Sequence, residues 1–180
     1  MPPPKVDIPV TTQPVLVPLA LSWQQIHRDA ASLAARLAAH GPFQRIIAVT
    51  RGGLIPAALL ACALDIRLVD TVCISSYDDR RRGEVEVLKG LWGDGAGWLV
   101  VDDLADSGAT FKALRAMLPQ AHMAALYTKP AGRDQIDTFV AALDQGVWIV
   151  FPWDVPPPDD EPNPIPPPSP PSPPLGLPGP

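Results

Sequence analysis

The distribution of proline limits where this chain can fold. Of its 25 prolines, 14 lie between Pro156 and Pro180, and six more lie between Met1 and Pro18. Proline has no backbone N–H to donate to a helix or sheet, so dense proline runs favour extended polyproline II structure. We therefore predict proline-rich, disordered ends at residues 1–21 and 156–180 and a folded domain at residues 22–155. The tail is interpreted as solvated, with a ligand for a proline-recognition module as the alternative.

Charge and cysteine usage exclude several classes of protein. The net charge is −5 and the pI is about 5.0, which argues against a nucleic-acid-binding surface because such a surface carries a basic excess. Cys62 and Cys73 show no C-x-x-C spacing, and we interpret them as small buried residues of a reducing compartment rather than as a disulfide. The apolar run at 15–21 is too short for a signal peptide or a membrane span. The sequence therefore predicts a cytoplasmic protein.

Short apolar runs alternate with helical patterns through the middle of the chain. Ser22, with Gln25 three residues later, predicts the start of a first helix that ends before Gly41. The other predicted elements are strands at 46–50, 68–75, 98–101 and 123–128, helices at 56–64 and from 107–110 to 118, and a short apolar segment at 148–151. This alternation predicts an α/β fold with a mainly parallel sheet covered on both faces. Ligands bind such sheets at the carboxyl ends of the strands.

One twelve-residue string at such a strand end offers the groups that a sugar phosphate needs. The run Leu99–Thr110 reads LVVDDLADSGAT, with two adjacent carboxylates, a third four residues after the first, and a turn of small residues that opens a helix. Adjacent side chains on an extended backbone diverge, so Asp102 and Asp103 can hold two parts of one ligand, such as ribose hydroxyls and a metal. The turn at 107–110 presents N–H groups and hydroxyls to a phosphate. Alternatively, the first two acids end a strand and Asp106 caps a helix.

The string resembles the 5-phosphoribosyl-1-pyrophosphate signature of type I phosphoribosyltransferases. From Trp23 to Asp154 the chain is similar to the bacterial xanthine-guanine phosphoribosyltransferase family. The matching stretches are IAVTRGGL at 47–54, VDTVCISSY at 69–77, KPAGR at 129–133 and FPWD at 151–154. The resemblance implies the type I phosphoribosyltransferase fold, with a mobile hood loop at 77–89.

Site residues carry over by position as implications of this resemblance. The implied sugar-phosphate and pyrophosphate site comprises Arg51, Gly52, Asp102, Asp103, Leu104, Ala105, Asp106, Ser107, Gly108, Ala109 and Thr110. The implied purine site comprises Asp106, Lys129, Trp148, Ile149 and Asp154. Asp103 is the implied carboxylate for Mg²⁺, and Asp106 the implied catalytic residue beside purine N7. On the pattern alone, Lys129 would be exposed and Trp148 would belong to the core.

The chain departs from the family within the hood. The family has an arginine, with a pyrophosphate-binding role, immediately before the glutamate that Glu84 matches, whereas this chain has Gly83 there and Arg82 one residue earlier. Either Arg82 takes the role in a shifted loop or pyrophosphate binding is weaker.

The resemblance implies a purine-salvage enzyme. It would transfer 5-phosphoribosyl from 5-phosphoribosyl-1-pyrophosphate to guanine or xanthine, and less well to hypoxanthine. It would give GMP or XMP and pyrophosphate. The implied assembly is a homotetramer, and some members of the family lie peripherally on the cytoplasmic face of the membrane. Two alternatives stay open: a hypoxanthine-preferring transferase, or a non-catalytic nucleotide-sensing regulator of the same fold.

Overall fold

The structure, a computed structural model, describes residues 17–76 and 85–154. The strands are β1 (Val17–Ala20), β2 (Arg45–Thr50), β3 (Val69–Ser76), β4 (Val85–Lys89), β5 (Trp98–Ala105), β6 (His122–Thr128), β7 (Thr138–Ala142) and β8 (Val147–Val150). The helices are α1 (Trp23–Leu37), α2 (Leu54–Ala63) and α3 (Ala109–Met117), with a 3₁₀ turn at Arg133–Gln135. The predicted disorder of residues 1–16 and 156–180, and the hood residues 77–84, lie outside the described residues.

A six-stranded sheet forms the centre of the molecule. Its order is β4-β3-β2-β5-β6-β7, and only the β3–β4 pair is antiparallel. β2 and β5 are almost entirely buried runs, as expected for strands covered on both faces. The predicted mainly parallel α/β fold is confirmed.

The helices begin where local chemistry permits. The Ser22 hydroxyl accepts a hydrogen bond from the backbone N–H of Gln25 at 3.2 Å, which caps α1 as predicted. The helix buries one face, and Ile26, Leu33 and Leu37 are fully enclosed there. The second helix starts at Leu54, two residues before the predicted start at Pro56, and still places this proline in the first turn, where its missing N–H costs nothing.

Strand β5 runs further than its sequence suggests. The apolar run was predicted to break at Asp102, but the strand continues through both acids to Ala105 and pairs with β6 over that length. The carboxylates of Asp102 and Asp103 are therefore carried by the rigid central strand rather than by a loop.

A second, two-stranded sheet joins distant parts of the chain. β1 pairs in parallel with β8, with Val17 opposite Val147 and Ala20 opposite Val150. Residues 17–21 were assigned from the sequence to the disordered extension; instead, Val17–Ala20 form β1, and the Leu21 N–H donates to the Val150 carbonyl at 3.0 Å. Pro18 is compatible with this strand because an edge strand can leave a nitrogen unpaired. Two further strands, β4 within the hood and β7, were also missed.

Two further expectations concerned the burial of the cysteines and the absence of a membrane span. Both cysteines are free; Cys62 is exposed and Cys73 half-buried, so the expectation that both are buried is wrong. Across residues 17–76 and 85–154, no helix has the length and apolar character needed to cross a membrane.

Candidate active site

A cleft of about 710 Å³ opens at the carboxyl edge of the central sheet. It is lined by Val49, Thr50, Arg51, Gly52, Leu54, Ile55, Ile74, Asp102, Asp103, Thr110, Trp153 and Asp154. The lining residues come from the ends of β2, β3 and β5, from the first turns of α2 and α3, and from the segment after β8. This is the position at which open α/β sheets bind ligands.

Two carboxylates, the buried Asp102 and the half-buried Asp103, dominate the electrostatics of the cleft. Burial raises the pKa of Asp102 well above its usual range, and repulsion from Asp103 raises it further. Burial likewise raises the pKa of Asp103 to about 6, with a contribution from the Asp154 carboxylate. The Asp102 carboxylate accepts a hydrogen bond from the backbone N–H of Asp103 at 2.9 Å. A site with this much uncompensated negative charge favours a cation or a hydrogen-bond donor as its ligand.

The turn between β2 and α2 lies directly against this pair. A Cβ atom on Gly52 would lie 2.3 Å from the Asp103 Oδ2 atom, so only glycine allows the backbone to come so close. The Thr50–Arg51 peptide bond in the same turn is cis. The sequence predicted that Gly52 allows close approach to a leaving group; the structure adds that it makes room for a carboxylate.

The loop after β5 presents a helix N-terminus beside the carboxylates. Gly108 adopts a left-handed conformation with φ of 78° and precedes α3, which turns the chain from strand to helix. The Ser107 hydroxyl accepts a hydrogen bond from the Ala109 N–H at 3.3 Å. The N–H groups of the first helical turn lack intrahelical acceptors, and with the helix dipole they favour an anion. Thr110 from this turn lines the cleft.

A second cluster forms where β5 and β6 end. The Lys129 Nζ atom lies 3.1 Å from the Asp106 Oδ1 atom, and the lysine is only 5% exposed. Lys129 also donates its backbone N–H to the Ala105 carbonyl at 2.9 Å. The Gln145 side chain donates to the same Asp106 oxygen at 2.9 Å. Lys129 is therefore buried and paired, unlike the exposed lysine that its position alone suggested.

The segment around β8 supplies the aromatic side chains. Trp148 is 57% exposed, whereas Ile149 is buried, so the tryptophan is not part of the core. Trp153 stacks on Phe151 with ring centroids 4.7 Å apart. The Asp154 carboxylate accepts the Phe151 N–H at 3.2 Å, which holds it at the cleft.

The structure thus groups most of the predicted residues into two neighbouring sets. Arg51, Gly52, Asp102, Asp103, Thr110 and Asp154 line the cleft, and Asp106 pairs with Lys129. The backbone between the two sets is formed by the remaining predicted residues of the string, Leu104, Ala105, Ser107, Gly108 and Ala109. Arg82 lies outside the described residues. Sequence reasoning missed Trp153 and Gln145. The FPWD match contained the tryptophan, but no signal marked the glutamine.

Comparison with known proteins gives this site a family. The model of the phosphoribosyl transferase domain matches residues 21–160, and the chain belongs to the phosphoribosyl transferase family. It is 53% identical over 135 residues to the xanthine-guanine phosphoribosyltransferase of Desulfotalea psychrophila, a match that spans 74% of this chain and 84% of that protein. The resemblance to the xanthine-guanine enzymes is therefore confirmed.

Solved structures agree on the fold. A purine phosphoribosyltransferase from Pyrococcus horikoshii superposes with a TM-score of 0.66 and 29% identity, over 80% of this chain and 99% of that one. A hypothetical protein from Neisseria gonorrhoeae with bound ppGpp superposes with a TM-score of 0.62 and 26% identity, over 78% and 90% of the two chains.

Proposed function

We propose that the protein transfers the 5-phosphoribosyl group of 5-phosphoribosyl-1-pyrophosphate to guanine or xanthine, and less well to hypoxanthine. The products are GMP or XMP and pyrophosphate. The observation that carries the proposal is the position of two sets of groups at the carboxyl ends of the neighbouring strands β5 and β6. The Asp102–Asp103 pair lines the cleft, and Asp106, in the loop after β5, forms an ion pair with Lys129, which follows β6. A sugar phosphate fits the first set, and a purine with a 6-oxo group fits the second.

In this proposal, the sugar phosphate occupies the cleft. Asp102 and Asp103 accept hydrogen bonds from the ribose hydroxyls, which relieves the repulsion between their buried charges. The turn at 107–110 holds the 5'-phosphate with its hydroxyls and the N–H groups of the first turn of α3. Arg51 and the backbone of Gly52 receive the departing pyrophosphate, with Arg82 as a further contact.

The carboxylate pair also suits Mg²⁺. The described residues contain no group of three His, Cys, Asp or Glu side chains placed to share one ion. Mg²⁺ does not need such a group, because it keeps several waters and binds one or two carboxylates together with substrate phosphates. Asp103, which lines the cleft, is the proposed protein carboxylate for the ion. Bound there, the ion would supply charge neutralisation for the departing pyrophosphate.

The purine lies between Lys129 and Trp148. Lys129 donates to the exocyclic O6 of the base, and the exposed Trp148 ring stacks on the purine face. The backbone of Ile149 contacts the 2-position, with Asp154 at the same edge. Asp106 is the catalytic residue, which accepts the N7 proton as the glycosidic bond forms.

The test is pyrophosphate release with the activated sugar phosphate and Mg²⁺, using guanine, xanthine, hypoxanthine and adenine separately. Release that is fastest with guanine and xanthine supports the proposal. Release only with hypoxanthine keeps the reaction but contradicts the assignment of the 2-position contacts. An Asp106→Asn variant should lower turnover and keep binding of the sugar phosphate nearly intact.

A non-catalytic nucleotide-binding role is the second candidate. The observation that favours it is the similar protein from Neisseria gonorrhoeae, which holds ppGpp. Absence of pyrophosphate release with every purine, together with calorimetric binding of a guanine nucleotide, would support this role. Release with any purine would exclude it.

Further proposals concern assembly, location and domain bounds. We propose a homotetramer in the cytoplasm, with peripheral contact to the inner face of the membrane and no nucleic-acid partner. The catalytic domain in this proposal spans 22–155, extended at its start by β1. Sedimentation equilibrium tests the tetramer, and co-flotation with vesicles tests the membrane contact.

A further inference from the structure

We propose that Gln145 is a positioning residue, which holds the Asp106 carboxylate in its reacting orientation while the base is bound. This inference rests on the function proposed above. Gln145 lies in the turn between β7 and β8, three residues before Trp148. It thereby links the segment that carries the stacking aromatic ring to the carboxylate that takes the proton.

Both ends of the Gln145 amide are engaged. Its Nε2 atom donates to Asp106 Oδ1 at 2.9 Å, and its Oε1 atom accepts the backbone N–H of Ala131 at 3.1 Å. The residue is on the surface, where a glutamine side chain is ordinarily hydrated and free to change rotamer. Two simultaneous contacts to two different loops remove that freedom, so the side chain acts as a strut between them.

The contact with Ala131 also fixes which end of the amide faces Asp106. A backbone N–H can only donate, so the Gln145 oxygen must point to Ala131, and the NH₂ group must point to the carboxylate. The reverse orientation would place an oxygen against a carboxylate oxygen and an N–H against an N–H. The amide is therefore presented to Asp106 as a donor.

The geometry divides the two oxygens of Asp106 between two tasks. Lys129 and Gln145 both contact Oδ1, at 3.1 and 2.9 Å, and no donor from the described residues contacts Oδ2. When Lys129 turns to the O6 atom of a bound purine, its contact with Oδ1 weakens. Gln145 is then the donor that keeps Oδ1 engaged and leaves Oδ2 directed at the N7 proton.

The frame around this strut is close-packed. A Cβ atom on Gly132 would lie 2.3 Å from the Ala105 carbonyl oxygen, so the loops after β5 and β6 pack backbone to backbone. The turn that carries Gln145 is braced at its start, where the Leu143 N–H donates to the Thr128 carbonyl at 2.9 Å. The Gln145 amide therefore contacts Asp106 and Ala131 from a turn whose backbone is itself held against β6.

A double-mutant cycle tests whether Gln145 acts through Asp106. Gln145→Met keeps the length of the side chain and removes both hydrogen bonds, and we expect kcat to fall about 10-fold with KM for the sugar phosphate changed less than about 2-fold. Gln145→Glu should lower kcat further, because it places negative charge against the Asp106 carboxylate. In an Asp106→Asn background, Gln145→Met should have almost no further effect on kcat.

A matched control comes from the opposite edge of the sheet. Gln120 is also an exposed glutamine that donates to an aspartate, in this case Asp94 Oδ2 at 2.7 Å. Gln120→Met should leave kcat unchanged. Melting temperatures of both Met variants separate a kinetic effect from a folding defect.

The outcomes distinguish this inference from the proposed function. Wild-type kcat in Gln145→Met, or the same loss in the wild-type and Asp106→Asn backgrounds, would overturn the positioning role and leave the transferase activity intact. Absence of pyrophosphate release by the wild-type protein with any purine would overturn both. A loss of kcat on Gln145→Met that occurs only when Asp106 is retained confirms the positioning role.

Discussion

Two aspartate sites at opposite edges of the same sheet are built in opposite ways. At the amino edge, one guanidinium nitrogen of Arg115 donates to both carboxylate oxygens of Asp137 at 2.8 Å. The Met123 backbone N–H donates to the same carboxylate at 2.7 Å. At the carboxyl edge, the buried Asp102 and the half-buried Asp103 lie side by side. Among the residues that the structure describes, no lysine or arginine lies within ion-pair distance of them.

This difference in pairing indicates that Asp137 has a structural role and that Asp102 and Asp103 have a functional one. The Asp137 carboxylate is neutralised by its own protein, so its contacts stabilise the folded chain whether or not a ligand is present. The Asp102–Asp103 pair costs folding energy in the absence of a ligand, as the raised pKa values of both carboxyls indicate. Carboxyls with strongly perturbed pKa values cluster at functional sites, where a ligand compensates for the cost.

Asp103→Asn should produce the largest effect. It removes the carboxylate proposed to serve Mg²⁺ and the ribose, and we expect kcat/KM to fall about 1,000-fold, since metal-ion stabilisation of the transition state amounts to several kcal/mol. Stability without ligand should not fall. Pyrophosphate release and thermal unfolding measure the two quantities, and a folded variant with wild-type kcat/KM would contradict the functional assignment of this pair.

Asp137→Ala should show the opposite pattern. Loss of the Arg115 contacts, together with the unpaired Met123 N–H, should lower the free energy of unfolding by about 3 kcal/mol. Activity per folded molecule should be unchanged. Urea unfolding checks the stability, and Asp134→Ala, on an exposed residue of the 3₁₀ turn, is the matched control with an effect below about 0.5 kcal/mol. A stability loss no greater than that of the control would contradict a structural role for the Asp137 contacts.

Gly52→Ala tests how closely the cleft is fitted around Asp103. The added methyl group would lie 2.3 Å from the carboxylate, so the turn or the Asp103 side chain must move. Displacements on the scale of 1 Å cost about 100-fold in rate, and we expect that loss in kcat/KM. Gly90→Ala, whose Cβ would make ordinary contact with Met117 at 3.5 Å, should retain full activity. Equal rates in the two variants would contradict a close fit.

The smallest effect concerns pH. The pKa of Asp103 is raised from 3.8 to about 6 in the folded state, so the folded protein holds this proton more tightly than the unfolded chain. The resulting stability is fully present below about pH 4 and is lost as pH rises to about 6. Relative to Asp103→Asn, the ligand-free wild type should therefore lose about 2 kcal/mol between pH 4 and pH 7. The free energy of unfolding of both proteins, measured by chemical unfolding across this pH range, tests the prediction. The same dependence on pH in the two proteins would contradict the raised pKa of Asp103.

The sequence predicted those parts of the molecule that local chemistry determines. The Ser22 cap, the buried runs of β2 and β6 and the turn into α3 all depend on neighbouring residues, and each was located correctly. β1 was missed because its partner, β8, is distant in the chain, whereas β7 was missed although it pairs with the preceding strand β6. Val17–Ala20 contains a proline, and only its pairing with β8 makes it a strand.

The site shows the same division. The twelve-residue string placed Asp102, Asp103 and Asp106 near one another because they are neighbours in the chain. The burial of Lys129 and the reach of Gln145 across to Asp106 depend on how three loops pack, and no local pattern encodes that packing. The sequence likewise did not predict that Asp137 is paired and that Asp103, among the described residues, is not, because in the sequence both are acids beside an apolar run.

The pairing of β1 with β8 also sets an order of events during synthesis. Val17–Ala20 leaves the ribosome early, and its partner Val147–Val150 follows only after more than a hundred further residues. At about 5–20 residues per second, the first strand waits on the order of ten seconds for its partner. β8 carries Trp148, and Trp153 and Asp154 of the cleft follow it in the chain, so we expect nascent chains to position the Asp102–Asp103 pair before they complete either the cleft or the purine site.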